Sequence, residues 1–395
     1  MAFDILAWAI KFKYILLFYL ILAIILYFKR KKLDIQGKVI ILYRTKWGMK
    51  WMDKYAAKYR EWVILLGYVG AGVGFMGLIA ISVILAKNLY DLIMHPATTP
   101  GVSLVLPGVN VPGLGILPFW YWIISIFVTA IVHEFSHGIV ARAHNNEVKN
   151  TGLVFLGPIL GAFVEPNEKK LRKENDIKQY SVLAAGSFSN ILLAVIALLL
   201  LNLAFTPLQN HMVTQTGFTF DSYFGEQYPF AQAGISTGTI ITGLNDKKIN
   251  NFQELSDELN YYKPGDKVTI KTSDKAYPIV LGTNPDNARK PFLGIKEVRN
   301  EFDVKEQYGE GVGKVWYGFV DWMTGLLRWL FVLSFGIALF NLLPLPIVDG
   351  GRMAQVFLWK VKGMETGEKR YRQIALFFLL LLILNLVYPW ISKLF

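Results

Sequence analysis

The chain has 395 residues, 53% of them hydrophobic and only 18% charged, where soluble domains run roughly half apolar and a quarter charged. That balance argues against an ordinary soluble enzyme, and the lack of any cysteine excludes disulfides, thiolate nucleophiles and cysteine-held metals. The formal charge of +12 is gathered in separate loops rather than spread as a nucleic-acid footprint, so no nucleic-acid partner is expected.

Apolar runs at 6–28, 63–86, 118–141, 180–205, 315–345 and 373–392 are each long enough, or nearly so, to cross a hydrocarbon core about 30 Å thick. They predict a mainly α-helical polytopic membrane protein with about six transmembrane helices. Buried helices of a large soluble enzyme would show polar faces, and segments such as ILLAVIALLLLNLAF show none. In the first run Lys11 and Lys13 leave a second reading open, an interfacial helix over 1–13. KRKK follows that run without a small-residue cleavage site, so no cleaved signal peptide is expected.

Loop charge then orients the spans. Residues 29–62 hold eleven Lys or Arg, whereas 87–117 hold only Lys87; loops 142–178 and 352–372 are again basic. By the positive-inside rule these three basic loops face the cytoplasm, which puts both termini, 87–117 and the polar segment of about 206–312 on the external side of a cell membrane.

The third run ends in IVHEFSHGIV, residues 131–140. Ionisable groups at membrane depth are costly without partners, so they mark a site. His133 and His137, four positions apart, share one helical face at roughly 6 Å. Two neutral imidazoles so placed can bind one zinc ion, and Glu134 beside them can reach a water on it. A pair of partly solvated interface histidines is the plainer reading. Catalytic zinc takes a third protein ligand. His144 stands at the loop beside Arg142 and Asn145, where solvation is its expected role, and His95 and His211 fall on the opposite side in this topology. A carboxylate is left, and FNLLPLPIVDGGR, residues 340–352, offers Asp349 at the same cytoplasmic depth. Pro344 and Pro346 break helical hydrogen bonding there and let the backbone bend. A helix-terminal acid before a glycine turn is the alternative for Asp349.

HEFSH together with NLLPLPIVDGG resembles the site-2 protease family of intramembrane zinc metalloproteases, whose second motif is matched at Asn341, Pro344, Pro346, Asp349 and Gly350. The resemblance implies Zn2+ held by His133, His137 and Asp349, with Glu134 as catalytic acid/base. GLVFLGPILGAFVEP (152–166) resembles the family's membrane re-entrant β-loop, and AAGSFSN (184–190) the start of its middle core span. Ser136 stands where a common form of the first motif has glycine. Asn341 is the candidate donor to the carbonyl oxygen that gains charge; a packing amide before Pro344 is its other reading.

In the external segment, short β-branched runs alternate with turn signals around one amphipathic stretch, FQELSDELNYY. It is similar to the circularly permuted PDZ domain attached to many site-2 proteases, although Thr239 replaces the usual aspartate. The expected organisation is two spans with their loops over 1–117, the first part of the catalytic core over 118–206, a small β-rich PDZ-like domain over 207–312, and the last core span plus a C-terminal span over 313–395. The expected activity is hydrolysis of single-span transmembrane substrates within the lipid bilayer, with the PDZ-like domain controlling access. A membrane scaffold or chaperone has no need of Glu134, and a metal-ion transporter would need an acidic series leading across the membrane.

Overall fold

Unbroken runs of Leu, Ile, Val and Ala can satisfy their backbone polar groups in lipid only by closing into helices. In the computed structural model, which describes residues 12–36, 40–94, 101–102, 105–111, 115–156, 159–285 and 287–391, they do so. In chain order the main elements are α1 (Lys13–Lys29), β1 (Leu33–Gln36), β2 (Ile40–Thr45), α2 (Met49–Lys58), α3 (Arg60–Met94), α4 (Phe119–Ala143), β3 (Val148–Leu156), β4 (Ile159–Pro166) and α5 (Asp176–Leu200). There follow β5 (Val213–Tyr223), β6 (Ile241–Leu244), β7 (Lys247–Lys248), α6 (Phe252–Leu259), β8 (Lys267–Thr272), β9 (Ala276–Val280), β10 (Ile295–Val304), α7 (Gly311–Asn341), α8 (Asp349–Lys362) and α9 (Met364–Ile391).

Among the described residues five helices are long and apolar enough to cross a membrane: Arg60–Met94, Phe119–Ala143, Asp176–Met212, Gly311–Asn341 and Met364–Tyr388. They fall on five of the six apolar runs. The first run differs, because its helix α1 has 17 residues and is not among the five, while residues 1–11 lie outside the described residues. Phe18 of α1 packs edge-on against Phe119 at the start of α4, with ring centroids 5.7 Å apart. His95 also lies outside the described residues.

The chain divides into two units, residues 1–201 with 325–395, and residues 202–324. In the first, α3 and α5 pack through small residues. A Cβ at Gly67 would stand 2.2 Å from Ser181 Oγ, and one at Gly74 would meet Ala184 Cβ at 3.1 Å, so these glycines set how near the two backbones come. The basic stretch 29–62, expected as a loop, carries two strands and a helix among its described residues. Its strands β1 and β2 join β3 and β4 in one antiparallel sheet of order β1-β2-β3-β4, with Arg44 opposite Gly152 and Leu153 opposite Ala162. Arg44 of β2 donates to Asp34 on β1 and to Glu165 on β4 (3.1 Å), which ties three strands together. Residues 152–156 and 159–166 are therefore neighbouring antiparallel strands of a four-stranded sheet.

The second unit holds a six-stranded sheet of order β9-β8-β6-β5-β10, with β7 paired to β6. Phe218, Phe220, Phe230, Ile235, Ile241, Leu255 and Ile270 form its buried core. Helix α6 is capped at Asn251, whose side chain accepts from the Glu254 N–H at 2.8 Å. Edge strand β10 is kinked, since Glu297 has φ 55° and the register shifts between Glu301 and Phe302.

Candidate metal centre

Helices α4, α5 and α8 of the first unit meet at His133. Helix α4 carries His133, Glu134 and His137; α8 begins with Asp349, an acid at a helix N-terminus where the macrodipole favours it. The expectation of Asp349 at the end of a span is corrected in detail: α7 stops at Asn341, the chain turns through Pro344 and Pro346, neither of which has an N–H to donate, and Asp349 opens a new helix. Gly350 makes that turn possible, because a Cβ there would lie 2.2 Å from the Leu342 carbonyl oxygen.

His133 Nε2 and His137 Nε2 are 3.1 Å apart, and Asp349 Oδ2 lies 3.1 Å from the first and 3.3 Å from the second. The three form a possible metal site. Around it, His137 Nδ1 lies 2.7 Å from the Val182 carbonyl oxygen, which can only accept, so Nδ1 carries the proton and the Nε2 lone pair faces Asp349. His133 Nδ1 lies 3.1 Å from the Asn190 amide, whose Oδ1 is buried without a partner. With that amide turned over, Oδ1 accepts from His133 Nδ1–H. With both rings neutral, three electron pairs face one another, the donor set of a cation held by two imidazoles and a carboxylate. The residues fit zinc. Ser334 Oγ in turn donates to the Asn190 carbonyl oxygen at 2.9 Å.

Gly186 of α5 is the floor of this cluster. A Cβ there would fall 2.3 Å from His137 Nε2 and 2.6 Å from His133 Nε2. Glu134 stands beside the trio and its Oε2 accepts from the Val164 N–H of β4 at 2.9 Å. Glu134, both histidines, Asp349, Asn341 and Arg352 line one cavity of about 360 Å³. Arg352 pairs with Glu168, also on the cavity wall, at 3.1 Å. Ser136 donates back to the Val132 carbonyl oxygen of its own helix at 2.7 Å.

One sequence expectation is reversed. His144 is 6% exposed and its Nε2 lies 3.0 Å from Ser181 Oγ, so it is a packed residue rather than a solvated one; burial, with Lys178 and Arg60 nearby, holds its pKa below the ordinary value. The sequence reading also did not single out Gly186, Asn190, Val182 or Val164 by role. The small-residue run AAGSFSN signalled a close approach, but which helix approached required the fold.

The model of peptidase family M50 matches residues 121–386, which spans the histidine motif, Asp349 and most of α9. The chain belongs to peptidase family M50, the site-2 protease family. Membership makes it a member of a membrane metalloprotease family and implies zinc as the cofactor. The chain is 25% identical over 356 residues to an uncharacterised protein of Methanocaldococcus jannaschii, covering 87% of this chain and 85% of that one. It is 24% identical over 264 residues to the zinc metalloprotease RasP of Shouchella clausii, covering 55% of this chain and 60% of RasP. In this M50 chain, Asn190→Ala removes the group that fixes the His133 tautomer. Zinc affinity is expected to fall about 10–100-fold, measured by competition with a chromophoric chelator; an unchanged affinity would remove Asn190 from the site.

Proposed function

We propose that the protein is a zinc-dependent intramembrane endopeptidase that hydrolyses peptide bonds of single-span transmembrane proteins. The observation that carries the reading is the convergence of His133, His137 and Asp349 from two helices with Glu134 beside them on one cavity. RasP, similar over about half the chain, is itself a zinc metalloprotease. In this reading His133, His137 and Asp349 hold zinc, which when bound lowers the pKa of a water towards about 7 and polarises a carbonyl. Glu134 takes the proton of the attacking water and returns it to the leaving amide nitrogen. The Val164 N–H bond holds that carboxylate in place while it does so. Asn341 offers its amide to the substrate carbonyl oxygen. A transmembrane helix must unwind before its carbonyls are accessible, and β4, the edge of its sheet, supports a role in receiving the extended peptide.

The ligand assignment is tested by metal analysis of purified variants. About one zinc per chain is expected in the wild type and in His144→Ala, and none in His137→Ala; equal retention in both variants would remove His137 from the site.

On loop charge we read the metal centre as lying near the cytoplasmic face and 207–312 as external. We read that segment as PDZ-like, supported by its antiparallel sheet, the Ala233-Gly234-Ile235 turn and helix α6. The kinked edge β10 exposes Lys296, Arg299 and Asp303, features that blunt strand addition, which favours exclusion of bulky substrates over peptide capture. Replacing 225–297 by a short flexible linker should preserve zinc and cleavage of a substrate with a minimal external tail, and should speed cleavage of bulky-tailed ones. A deletion protein that keeps its fold and zinc yet cuts nothing would show that the segment supplies part of the active site.

A further inference from the structure

Helix α2 carries two stripes of opposite character. Trp51, Tyr55 and the following Tyr59 recur every fourth residue, and so do Lys50, Lys54 and Lys58; at about 3.6 residues per turn the two rows run side by side. The aromatic row is in open view, with Trp51 65%, Tyr55 41% and Tyr59 43% exposed, and its rings follow one another at 6.3 and 6.2 Å. Trp47 before it and Trp62 after it are 69% and 67% exposed. Among the described residues no carboxylate pairs with the three lysines.

The other side of α2 is clasped to the helix that bears the histidines. Met52 is fully buried, and a Cβ at Gly138 would meet its Sδ at 2.6 Å. Phe135 fills the space over Gly48 and meets the Trp47 ring edge-on at 5.7 Å. Asp53 pairs with Arg142 at 3.1 Å.

Tyr59 is followed directly by Arg60, the first residue of a candidate span, so the stripes run up to a bilayer edge at headgroup level. Amphipathic aromatic rings settle in that layer, and rows of lysine beside a span attract acidic lipid. We propose that α2 is an interfacial helix that binds anionic lipid headgroups, the aromatic row seated at the acyl boundary and Lys50, Lys54 and Lys58 on the phosphates. Because Met52 and Phe135 join α2 to α4, this seating sets the depth of the helix carrying His133 and His137.

With no native cysteine, a nitroxide on the full chain is unique. Tyr55→Cys places it on the stripes, and Ala57→Cys places it on the same helix away from them. In vesicles of equal phosphatidylcholine and phosphatidylglycerol, the label at 55 should be reached by oxygen and shielded from an aqueous nickel complex, and the label at 57 should show the reverse. Phosphatidylcholine alone, or Lys50→Gln, Lys54→Gln and Lys58→Gln together, should weaken the seated state on the order of a hundredfold and return position 55 to water. A label at 55 that stays aqueous in the anionic vesicles, as a face reserved for a protein partner would leave it, overturns the proposal. Equal depth in both vesicle types overturns it as well.

Discussion

Replacing Glu134 by Gln is expected to abolish cleavage of a single-span substrate while zinc content stays near that of the wild type. The side chain keeps its shape, and its amide oxygen can still accept the Val164 N–H now bonded at 2.9 Å. What it loses is the capacity to take a proton from water and give it to the leaving nitrogen, a contribution of about 10²–10⁴-fold in rate. Glu134 lies outside the trio of facing donor atoms, so the metal should remain. Product analysis by mass spectrometry beside elemental analysis of the same preparation reads both quantities. Preserved turnover, or loss of zinc, would take the proton-transfer role from Glu134.

An effect as large is expected at a residue with no chemistry of its own. In Gly186→Ala the new methyl falls 2.3 Å from His137 Nε2 and 2.6 Å from His133 Nε2, well inside van der Waals contact, on the side of the imidazoles that a metal would use. Either the methyl displaces the rings or α5 moves away from α4; overpacking of this kind costs about 1–3 kcal/mol in stability, but the donor set is lost in both cases. Zinc and cleavage should disappear together. Gly72→Ala is the control, since nothing lies within 4 Å of its Cβ, and it should retain both. Zinc retained in Gly186→Ala at the wild-type level would mean that His133 and His137 hold metal in some other geometry.

The membrane helices were legible because hydropathy is a property of runs: an unbroken apolar stretch has one conformation open to it in lipid. The histidine pair was legible because four-residue spacing on a helix is itself a distance. What escaped lay where contact partners are far apart in sequence. Strands β1 and β2 read as part of a basic loop because, although they pair with each other, the strand that anchors β2 starts over a hundred positions on, with Arg44 reaching Glu165, and such short strands carry little pattern of their own. His144 read as solvated because Arg142 and Asn145 flank it, yet Ser181 from another helix encloses it. Asp349 was found by elimination and motif, but its place as the first residue of a new helix depended on how the two prolines fold the turn. Gly186 is the sharpest case: it lies in the small-residue run AAGSFSN, but only the approach of α4 shows what its missing side chain leaves room for.

In the function proposed, this M50 chain cuts peptide bonds inside the bilayer with a metal held by His133, His137 and Asp349. The most direct measurement is to reconstitute the purified full chain with a panel of single-span proteins and map the cut sites by mass spectrometry, before chelation, after it, and after zinc is restored. Cleavage is expected within the apolar segment of at least one substrate, lost on chelation and regained with zinc, and absent throughout in Asp349→Ala. Cleavage confined to the water-exposed tails, or cleavage that survives both chelation and Asp349→Ala, would contradict it.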